Sequence, residues 1–223
     1  MVFLILNPIT DNRPPITALM DIIREYNDIL SSLVGSLDLL RSSGVNFIRR
    51  EGARGAQAAL RAEIASCALC DSGASANKVY GVGEAVSGLV IVLSASCNKS
   101  EDALLASLLE KSGLVRDKVY VTCAFKCPSP PEGGLEAAFQ RVRLCRSFLA
   151  RELSTMSFRV IVAFGECAGR ALLDDEALRY GSFYDYNGAR LMLTHGLDAL
   201  DKQKSLRNDT WAHIQSVLRE LDE

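Results

Sequence analysis

The sequence predicts an α/β protein: a three-layer α/β/α domain on a four-stranded parallel sheet, with an N-terminal helical extension. Two observations lead to this fold class. From residue 89 onward, short β-branched apolar runs alternate with longer amphipathic stretches, which is typical of a parallel sheet covered by helices on both faces. The 223 residues are 48% hydrophobic, which is enough to bury a sizeable core, and a chain of this length is expected to form one globular domain.

Residues 1–55 are predicted to form the helical extension, and residues 56–223 the α/β/α domain. The Pro14-Pro15 pair indicates a break before the first helix. The predicted helical stretches before residue 67 are Ile16 to Leu33, Leu37 to Leu40 and Ala53 to Ser66. No chemical motif is found before residue 67, so a packing or interaction role is expected there.

Four strands and four helices are predicted after residue 88. The strands are Leu89 to Leu93, Val119 to Thr122, Val160 to Phe164 and Arg190 to Thr194. The helices are Glu101 to Ser112, Leu135 to Thr155, Glu166 to Leu173 and Leu206 to Leu221. Ligands of open parallel sheets bind at the carboxyl ends of the strands. The candidate site segments are therefore Ser94 to Asn98, Cys123 to Pro131, Gly165 to Cys167 and His195 to Leu197.

The charge balance excludes a bulk positive field as the basis for nucleic-acid binding. Lys and Arg number 25 and Asp and Glu 27, so the net charge is -2 and any DNA contact must use a local patch. The candidate patch lies on the predicted long helix, and its members are Arg141, Arg143, Arg146 and Arg151. The alternative for these residues is an ordinary solvated helix face.

The opening apolar run, Val2 to Leu6, is too short to span a bilayer and lacks the features of a secretory signal. A cytoplasmic monomer without a membrane partner is expected. Seven cysteines are an odd number for a chain without an export signal, which favours reduced thiols or metal ligands over a disulfide framework.

Four of the cysteines have metal-ligand spacing. Cys67 and Cys70 form a C-x-x-C pair, and Cys127 and Cys145 are separated by seventeen residues. Four thiolates suit either zinc or an iron-sulfur cluster, but a zinc ribbon usually has two C-x-x-C pairs and this chain has one. Helical periodicity places Cys145 on the inward face of its helix. The other three are interpreted as small buried apolar residues: Cys97, Cys123 and Cys167.

Further motifs lie around and between these four cysteines and in the residues that follow them. The motifs are Cys67-Ala-Leu-Cys70, Val79 to Gly83, Val119 to Thr122 with Lys126-Cys127-Pro128, Leu144-Cys145-Arg146, Val160 to Gly165, Tyr180 to Gly188, and Trp211. Together they resemble the family 4 uracil-DNA glycosylases, over most of residues 60 to 218. The resemblance implies a 4Fe-4S cluster on Cys67, Cys70, Cys127 and Cys145. It also implies a DNA substrate, single- or double-stranded, from which uracil is removed in base-excision repair.

The expected substrate pocket departs from the family pattern. After the first strand the family carries Gly-Glu-Ala-Pro-Gly, whereas this chain reads Ser94 to Asn98 and has Ala95 at the Glu position. A family loop with a base-stacking Phe is absent before the next helix. The family's Thr-Asn pair at the second strand becomes Thr122-Cys123, and a thiol hydrogen-bonds more weakly than an amide. The resemblance assigns substrate binding to Ser94, Ala95, Cys97, Asn98 and Cys123.

The family's His-Pro-Ser motif is reduced to His195-Gly196-Leu197. The resemblance implies that His195 is the catalytic residue, which stabilises negative charge on the leaving uracil. With these changes we expect reduced activity. The alternatives are an inactive or retargeted relative that binds nucleic acid or a repair partner, and a zinc-binding protein with a nucleotide pocket.

Two further patterns are interpreted as structural. Glu101 and Asp102 stand at a predicted helix start, where acidic residues cap the helix and interact with its dipole. The run from Gly81 to Ala85 contains a G-x-G pattern, but no helix is predicted directly after it, so it is interpreted as a turn and not as a dinucleotide-binding loop.

Overall fold

A computed structural model describes residues 23–32, 34–36, 53–70, 77–128, 133–173 and 177–222. The chain divides into two units, Met1–Ile48 and Arg49–Glu223. In the first unit the described residues 23–32 and 34–36 are helical and are called α1. The predicted break at Pro14-Pro15 and the predicted helix at Leu37 to Leu40 lie outside the described residues.

The second unit contains a five-stranded sheet in the order β2-β1-β3-β5-β4. Its strands are β1 Leu89–Leu93, β2 Tyr120–Cys123, β3 Val160–Phe164, β4 Phe183–Tyr186 and β5 Ala189–Thr194. β2, β1, β3 and β5 are parallel, so the four predicted parallel strands are confirmed. β4 is an additional strand, antiparallel to β5.

β4 and β5 form a hairpin around Asn187-Gly188. Both turn residues have positive φ, 52° and 84°, as a tight hairpin turn requires. An Asn-Gly pair between apolar runs is a hairpin signal, so the sequence contained the information for β4. The prediction omitted the strand because it is short and only partly buried.

The helices of this unit are α2 Ala53–Ala65, α3 Lys99–Lys111, α4 Gly134–Leu153, α5 Glu166–Leu172, α6 Leu197–Lys202 and α7 Leu206–Asp222. Alternate residues of β1 separate the two faces of the sheet. Leu89 and Ile91 pack in a cluster with side chains of α3, α6 and α7, whereas Val90 and Val92 pack with α4 and α5. The predicted three-layer α/β/α architecture is therefore confirmed. α6, which begins two residues after His195, was not predicted.

A third apolar cluster joins α2 to α4. It is formed by the buried Leu60, Ile64 and Phe148, and the partly buried Cys67 and Tyr80 pack against it. Because Cys67 lies just beyond α2, this packing brings the C-x-x-C segment to the side of α4.

The Gly81 to Ala85 segment runs along the edge of β2. Val82 forms an isolated antiparallel bridge with Val121, which the sequence did not indicate. The predicted bend lies at Gly83, where φ is +90° and a Cβ atom would lie 2.2 Å from the Val119 carbonyl oxygen. Only glycine fits this close approach.

Among the described helices, none combines the length and the apolar character that crossing a bilayer requires.

Candidate functional site

The structure brings the four predicted metal-ligand cysteines into one neighbourhood. Cys67 and Cys70 follow α2, Cys127 follows β2, and Cys145 lies in α4, where its burial confirms the predicted inward orientation. Burial raises the pKa of the Cys127 and Cys145 thiols, and the charges of Cys67 and Cys70 raise it further. Thiols influence each other's ionisation in this way only when they are close.

Positive charge and backbone donors face these sulfur atoms. Lys78 Nζ lies 3.8 Å from Cys127 Sγ and 3.2 Å from the carbonyl oxygen of Cys67. The backbone N–H of Lys126 donates to the Cys145 thiol, which lowers its pKa against the raising effect of burial. Groups of this kind stabilise thiolates.

Four cysteine thiols suit either one zinc ion or an iron-sulfur cluster. Within the described ranges, no three His, Cys, Asp or Glu side chains are close enough to share one metal ion. The thiolates of a four-iron cluster bind separate iron atoms and therefore lie farther apart than the ligands of one zinc ion. The thiols of Cys67, Cys70, Cys127 and Cys145 are donors of the kind that an iron-sulfur cluster takes, and Lys78 beside Cys127 would offset part of its negative charge.

A buried polar network lies directly behind the cysteines and was missed by the sequence analysis. Glu152 Oε1 accepts from the Tyr120 hydroxyl at 2.7 Å and from the Gly81 N–H at 3.0 Å. Glu152 Oε2 accepts from Thr122 Oγ1 at 2.9 Å and from Lys126 Nζ at 2.5 Å. Glu152 follows Cys145 by seven residues, two helical turns, so helical periodicity could have placed it on the same inward face.

The Glu152 carboxylate is ionised in this network. Burial alone would raise its pKa, but the Lys126 ammonium and the hydrogen bonds from Tyr120 and Thr122 lower it. Lys126 and Glu152 are 2% and 5% exposed, so this is a buried ion pair. Such pairs are retained only when the remaining lone pairs are also satisfied, as they are here.

A cavity of about 320 Å³ opens between the carboxyl ends of β1 and β2 and the first turn of α3. Three of the predicted substrate-binding residues line it: Cys97, Asn98 and Cys123. Burial raises the pKa of Cys97 to about 11 and that of Cys123 to about 12, so both thiols are protonated at neutral pH. The lining also includes the cation Arg116. This cavity offers weak thiol donors where the family presents an amide.

Cys97, Cys123 and Cys167 were predicted to be small buried apolar residues, and the structure confirms this for two of them. Cys123 and Cys167 are buried, at 4% and 8% exposure, which confirms that interpretation. Cys97 is only partly buried and packs against the apolar cluster on the α3 side of the sheet.

Asn98 caps α3. Its side-chain oxygen accepts from the N–H groups of Ser100 at 2.8 Å and Glu101 at 3.0 Å, and Glu101 Oε2 accepts from the Asn98 N–H. This is a capping box, and it confirms the capping role predicted for Glu101. The side-chain oxygen of Asn98 is therefore used by the helix.

Ser94 and Ala95 lie apart from the cavity lining that the described residues define. Ser94 Oγ donates to the Phe164 carbonyl oxygen at 3.0 Å and thereby links the ends of β1 and β3. Ala95 packs at the margin of the apolar cluster on the α4 side of the sheet. Of the five predicted substrate-binding residues, three therefore line this cavity, and Ser94 and Ala95 do not.

His195 follows β5, and its ring stacks on Tyr180 with centroids 4.5 Å apart. The His213 ring of α7 lies 5.9 Å from it, and His213 Nδ1 is 3.0 Å from Thr194 Oγ1. Burial lowers the pKa of His213, and the charge of His195 lowers it further. Tyr180 and His213 are neighbours of His195 that the sequence did not indicate.

The structure does not bring His195 next to the cavity. β1 and β3 lie between β5 and β2 in the sheet. Neighbouring strands are about 4.8 Å apart, so three intervals separate the ends of β5 and β2 by roughly 14 Å. His195 and Cys123 share one edge of the sheet at this distance.

The predicted arginine patch is smaller than expected. Arg151 forms a two-pronged pair with Glu63 of α2, with distances of 2.5 and 2.7 Å. This contact links α4 to α2 and uses the guanidinium group. Arg143 is exposed on the outer face of α4. Residues 129–132, in the Pro- and Gly-rich stretch that follows Cys127, lie outside the described residues.

The fold and the arrangement of cysteines define a class of protein. The sequence profile of the uracil DNA glycosylase superfamily matches residues 72–220, which contain the whole sheet, the helices α3 to α6 and most of α7. The chain belongs to this superfamily, and the predicted membership is confirmed.

The type within the superfamily is supported by one relative. The chain is similar to a type-4 uracil-DNA glycosylase from Archaeoglobus fulgidus, with 31% identity over 124 residues. The similar segment covers 50% of this chain and 61% of that protein. This similarity supports the predicted assignment to family 4.

Proposed function

We propose that the protein is an iron-sulfur uracil-DNA glycosylase of base-excision repair, which hydrolyses the bond between uracil and deoxyribose at a reduced rate. The observation that carries this proposal is the position of His195 at the carboxyl edge of a superfamily sheet, beside the partly exposed Tyr180. Protein groups at this edge meet the ligand in open α/β sheets.

In this proposal Cys67, Cys70, Cys127 and Cys145 hold a 4Fe-4S cluster. A bound cluster supplies a covalent cross-link between the end of α2, the loop after β2, and α4. The neighbouring Lys78 offsets part of its negative charge. Metal analysis that found one zinc per chain, and neither iron nor sulfide in anaerobic preparations, would contradict this part of the proposal.

His195 acts on the leaving group. As the glycosidic bond breaks, its electron pair leaves with the uracil as negative charge, water adds its hydroxyl to the sugar carbon, and the remaining proton of the water neutralises the uracil. The imidazole donates a hydrogen bond to the charged base, a contact that strengthens in the transition state. His213, whose pKa is lowered by burial, is neutral near pH 7.

Orientation of the water and recognition of the base are both expected to be weaker than the family pattern provides. Ala95 offers no carboxylate to orient water, and the protonated Cys123 thiol offers no amide to distinguish uracil from cytosine. The reaction is therefore slow. We infer that the protein acts on DNA as a cytoplasmic monomer, that the exposed Arg143 contributes phosphate contacts, and that binding is weak and strongly dependent on salt.

The direct test is excision by anaerobically purified protein on labelled oligonucleotides, with uracil-containing and matched thymine-containing strands, followed by alkaline cleavage of abasic sites. Slow cleavage of the uracil strand alone is expected, and it should be lost in His195→Ala. Absence of uracil-dependent cleavage from the protein with its full iron content would contradict the glycosylase proposal.

The second candidate is an inactive or retargeted iron-sulfur member that binds nucleic acid or a repair partner. Ala95 and Cys123 favour it, because both replace the groups on which the family's chemistry depends. Binding to the same oligonucleotides without cleavage would support this candidate.

A further inference from the structure

The proposed cluster ligands come from three separate segments of the chain. Cys67 and Cys70 follow α2, Cys127 follows β2, and Cys145 lies within α4. A shared cluster forms only when these segments have fixed positions relative to one another. The arrangement therefore needs contacts that connect all three.

Glu152 supplies such contacts. It belongs to α4 and lies two turns beyond Cys145. It accepts from the Gly81 N–H, on the segment that follows the C-x-x-C pair, and from two hydroxyl groups on β2. Its fourth donor is Lys126 Nζ, from the residue that precedes Cys127.

Lys126 transmits this constraint to two ligands. Its side chain is fixed by Glu152 and by Thr122 Oγ1, 2.9 Å from Nζ. Its backbone N–H donates to the Cys145 thiol, and its carbonyl oxygen accepts from Val79 N at 3.0 Å. The next residue is Cys127. A displacement of the Lys126 side chain would therefore move the backbone that contacts Cys145 and carries Cys127.

Stability alone does not account for this network. Replacing a buried ion pair with well-packed neutral side chains is often neutral or stabilising, because the charges no longer have to be desolvated. What a neutral pair lacks is the directional contact between one helix and one loop. The contribution of the pair is therefore orientation of the segments that it connects.

We infer that Glu152, acting through Lys126, is a positioning residue for the iron-sulfur cluster. This inference rests on the proposed cofactor and adds residues that do not themselves bind it. Outer groups that orient metal ligands commonly control how long a metal is retained.

The test compares the wild type with Lys126→Met combined with Glu152→Gln. This pair of changes leaves the net charge unaltered and keeps an acceptor for Tyr120 and Gly81, so the variant should fold. The matched control is Arg190→Met with Glu220→Gln, which removes a surface pair between β5 and α7. Helix content and the unfolding midpoint of each protein are measured on the iron-loaded proteins.

Iron and sulfide content, visible circular dichroism and the rate of iron loss to a chelator are then measured on the loaded proteins. We expect the Lys126/Glu152 variant to fold like the wild type, to lose iron at least tenfold faster, and to show an altered visible spectrum. The control should match the wild type in its folding, its rate of iron loss and its visible spectrum. A folded variant with wild-type iron loss and spectrum would overturn the positioning role, as would a loaded variant whose helix content or unfolding midpoint falls well below that of the wild type.

The two proposals fail in different ways. Wild-type protein without iron and sulfide would overturn the cofactor and, with it, the positioning role. Wild-type protein with a cluster but without excision would contradict the glycosylase proposal and leave the comparison of iron loss fully interpretable.

Discussion

The cysteine region and the strand-end region of this domain follow the family pattern to different degrees. The first keeps all four cysteines and has a dense buried network behind them. The second has lost the carboxylate position at Ala95 and the amide position at Cys123, and it has His195 at some distance from the cavity.

The difference shows how each region depends on its residues. A cluster site is part of the folded core, so a lost ligand or a lost partner of Glu152 leaves a buried charge or thiol and destabilises the fold. A strand-end side chain projects from a sheet whose stability comes from elsewhere. Substitution of an exposed side chain at this edge changes chemistry with little effect on the scaffold.

The largest expected effect is on the cysteine region. Cys145→Ala should lose iron, sulfide and soluble yield together, because one ligand and one cross-link between α4 and the other segments are lost. Iron and sulfide per chain and the soluble fraction measure this effect. Cys167→Ala is the matched control, since it removes a buried thiol outside the set of four. Full iron content in the Cys145 variant would show that the ligand set is wrong.

The second prediction restores the family's groups to the strand ends. Ala95→Glu combined with Cys123→Asn should raise uracil excision, because each supplies a preorganised group worth about 2.7 to 4 kcal/mol, or roughly a hundred- to a thousandfold in rate. A gel assay of excision under single-turnover conditions measures the gain. Each single variant serves as the control for the other. If neither change raises the rate, the pocket lies elsewhere.

The third prediction concerns His195 alone. His195→Ala should reduce the remaining excision roughly a hundred- to a thousandfold, because a donor to the charged base is removed. The rate constant of excision is the measurement. His213→Gln changes the neighbouring ring and should have a much smaller effect. Wild-type turnover in the His195 variant would mean that another group stabilises the leaving base.

A smaller effect is expected for the DNA-binding surface. Arg143→Glu should weaken binding to every sequence alike and reduce the salt slope by about 1, because one phosphate contact is lost. Fluorescence anisotropy with labelled strands at several salt concentrations measures both quantities. Arg219→Glu, an exposed change on α7, is the control. An unchanged slope in the Arg143 variant would place the contact surface elsewhere.

The smallest effect is a pH dependence of stability. Burial lowers the pKa of His213 below its ordinary 6.5, so the unfolded chain binds this proton more readily than the folded chain. The contribution to the free energy of unfolding is therefore complete above about pH 6.5 and decreases as the pH falls below it. Denaturant unfolding of the wild type and His213→Gln from pH 8 to 5.5 measures this. Parallel curves for the two proteins would contradict the assignment.

Much of the scaffold was predictable because its signals are local. β-branched runs and amphipathic stretches defined four parallel strands and the helices that cover them, since both faces of such a sheet are buried. The spacing of Cys67 and Cys70, and the inward periodicity of Cys145, placed the cysteines. β4 was missed although Asn187-Gly188 signalled its hairpin.

The relation between distant residues was decided by the tertiary structure. Glu152 and Gly81 are 71 residues apart in sequence, and no local pattern predicts their hydrogen bond. The same holds for the stacking of Tyr180 on His195, and for the positions of Cys97 and Cys123 along one cavity. By itself the sequence determined the four parallel strands, the four candidate cysteines and the family, because periodicity and motif spacing act over a few residues. Packing across the sheet decided which side chains meet, because that depends on strand order and on burial on each face.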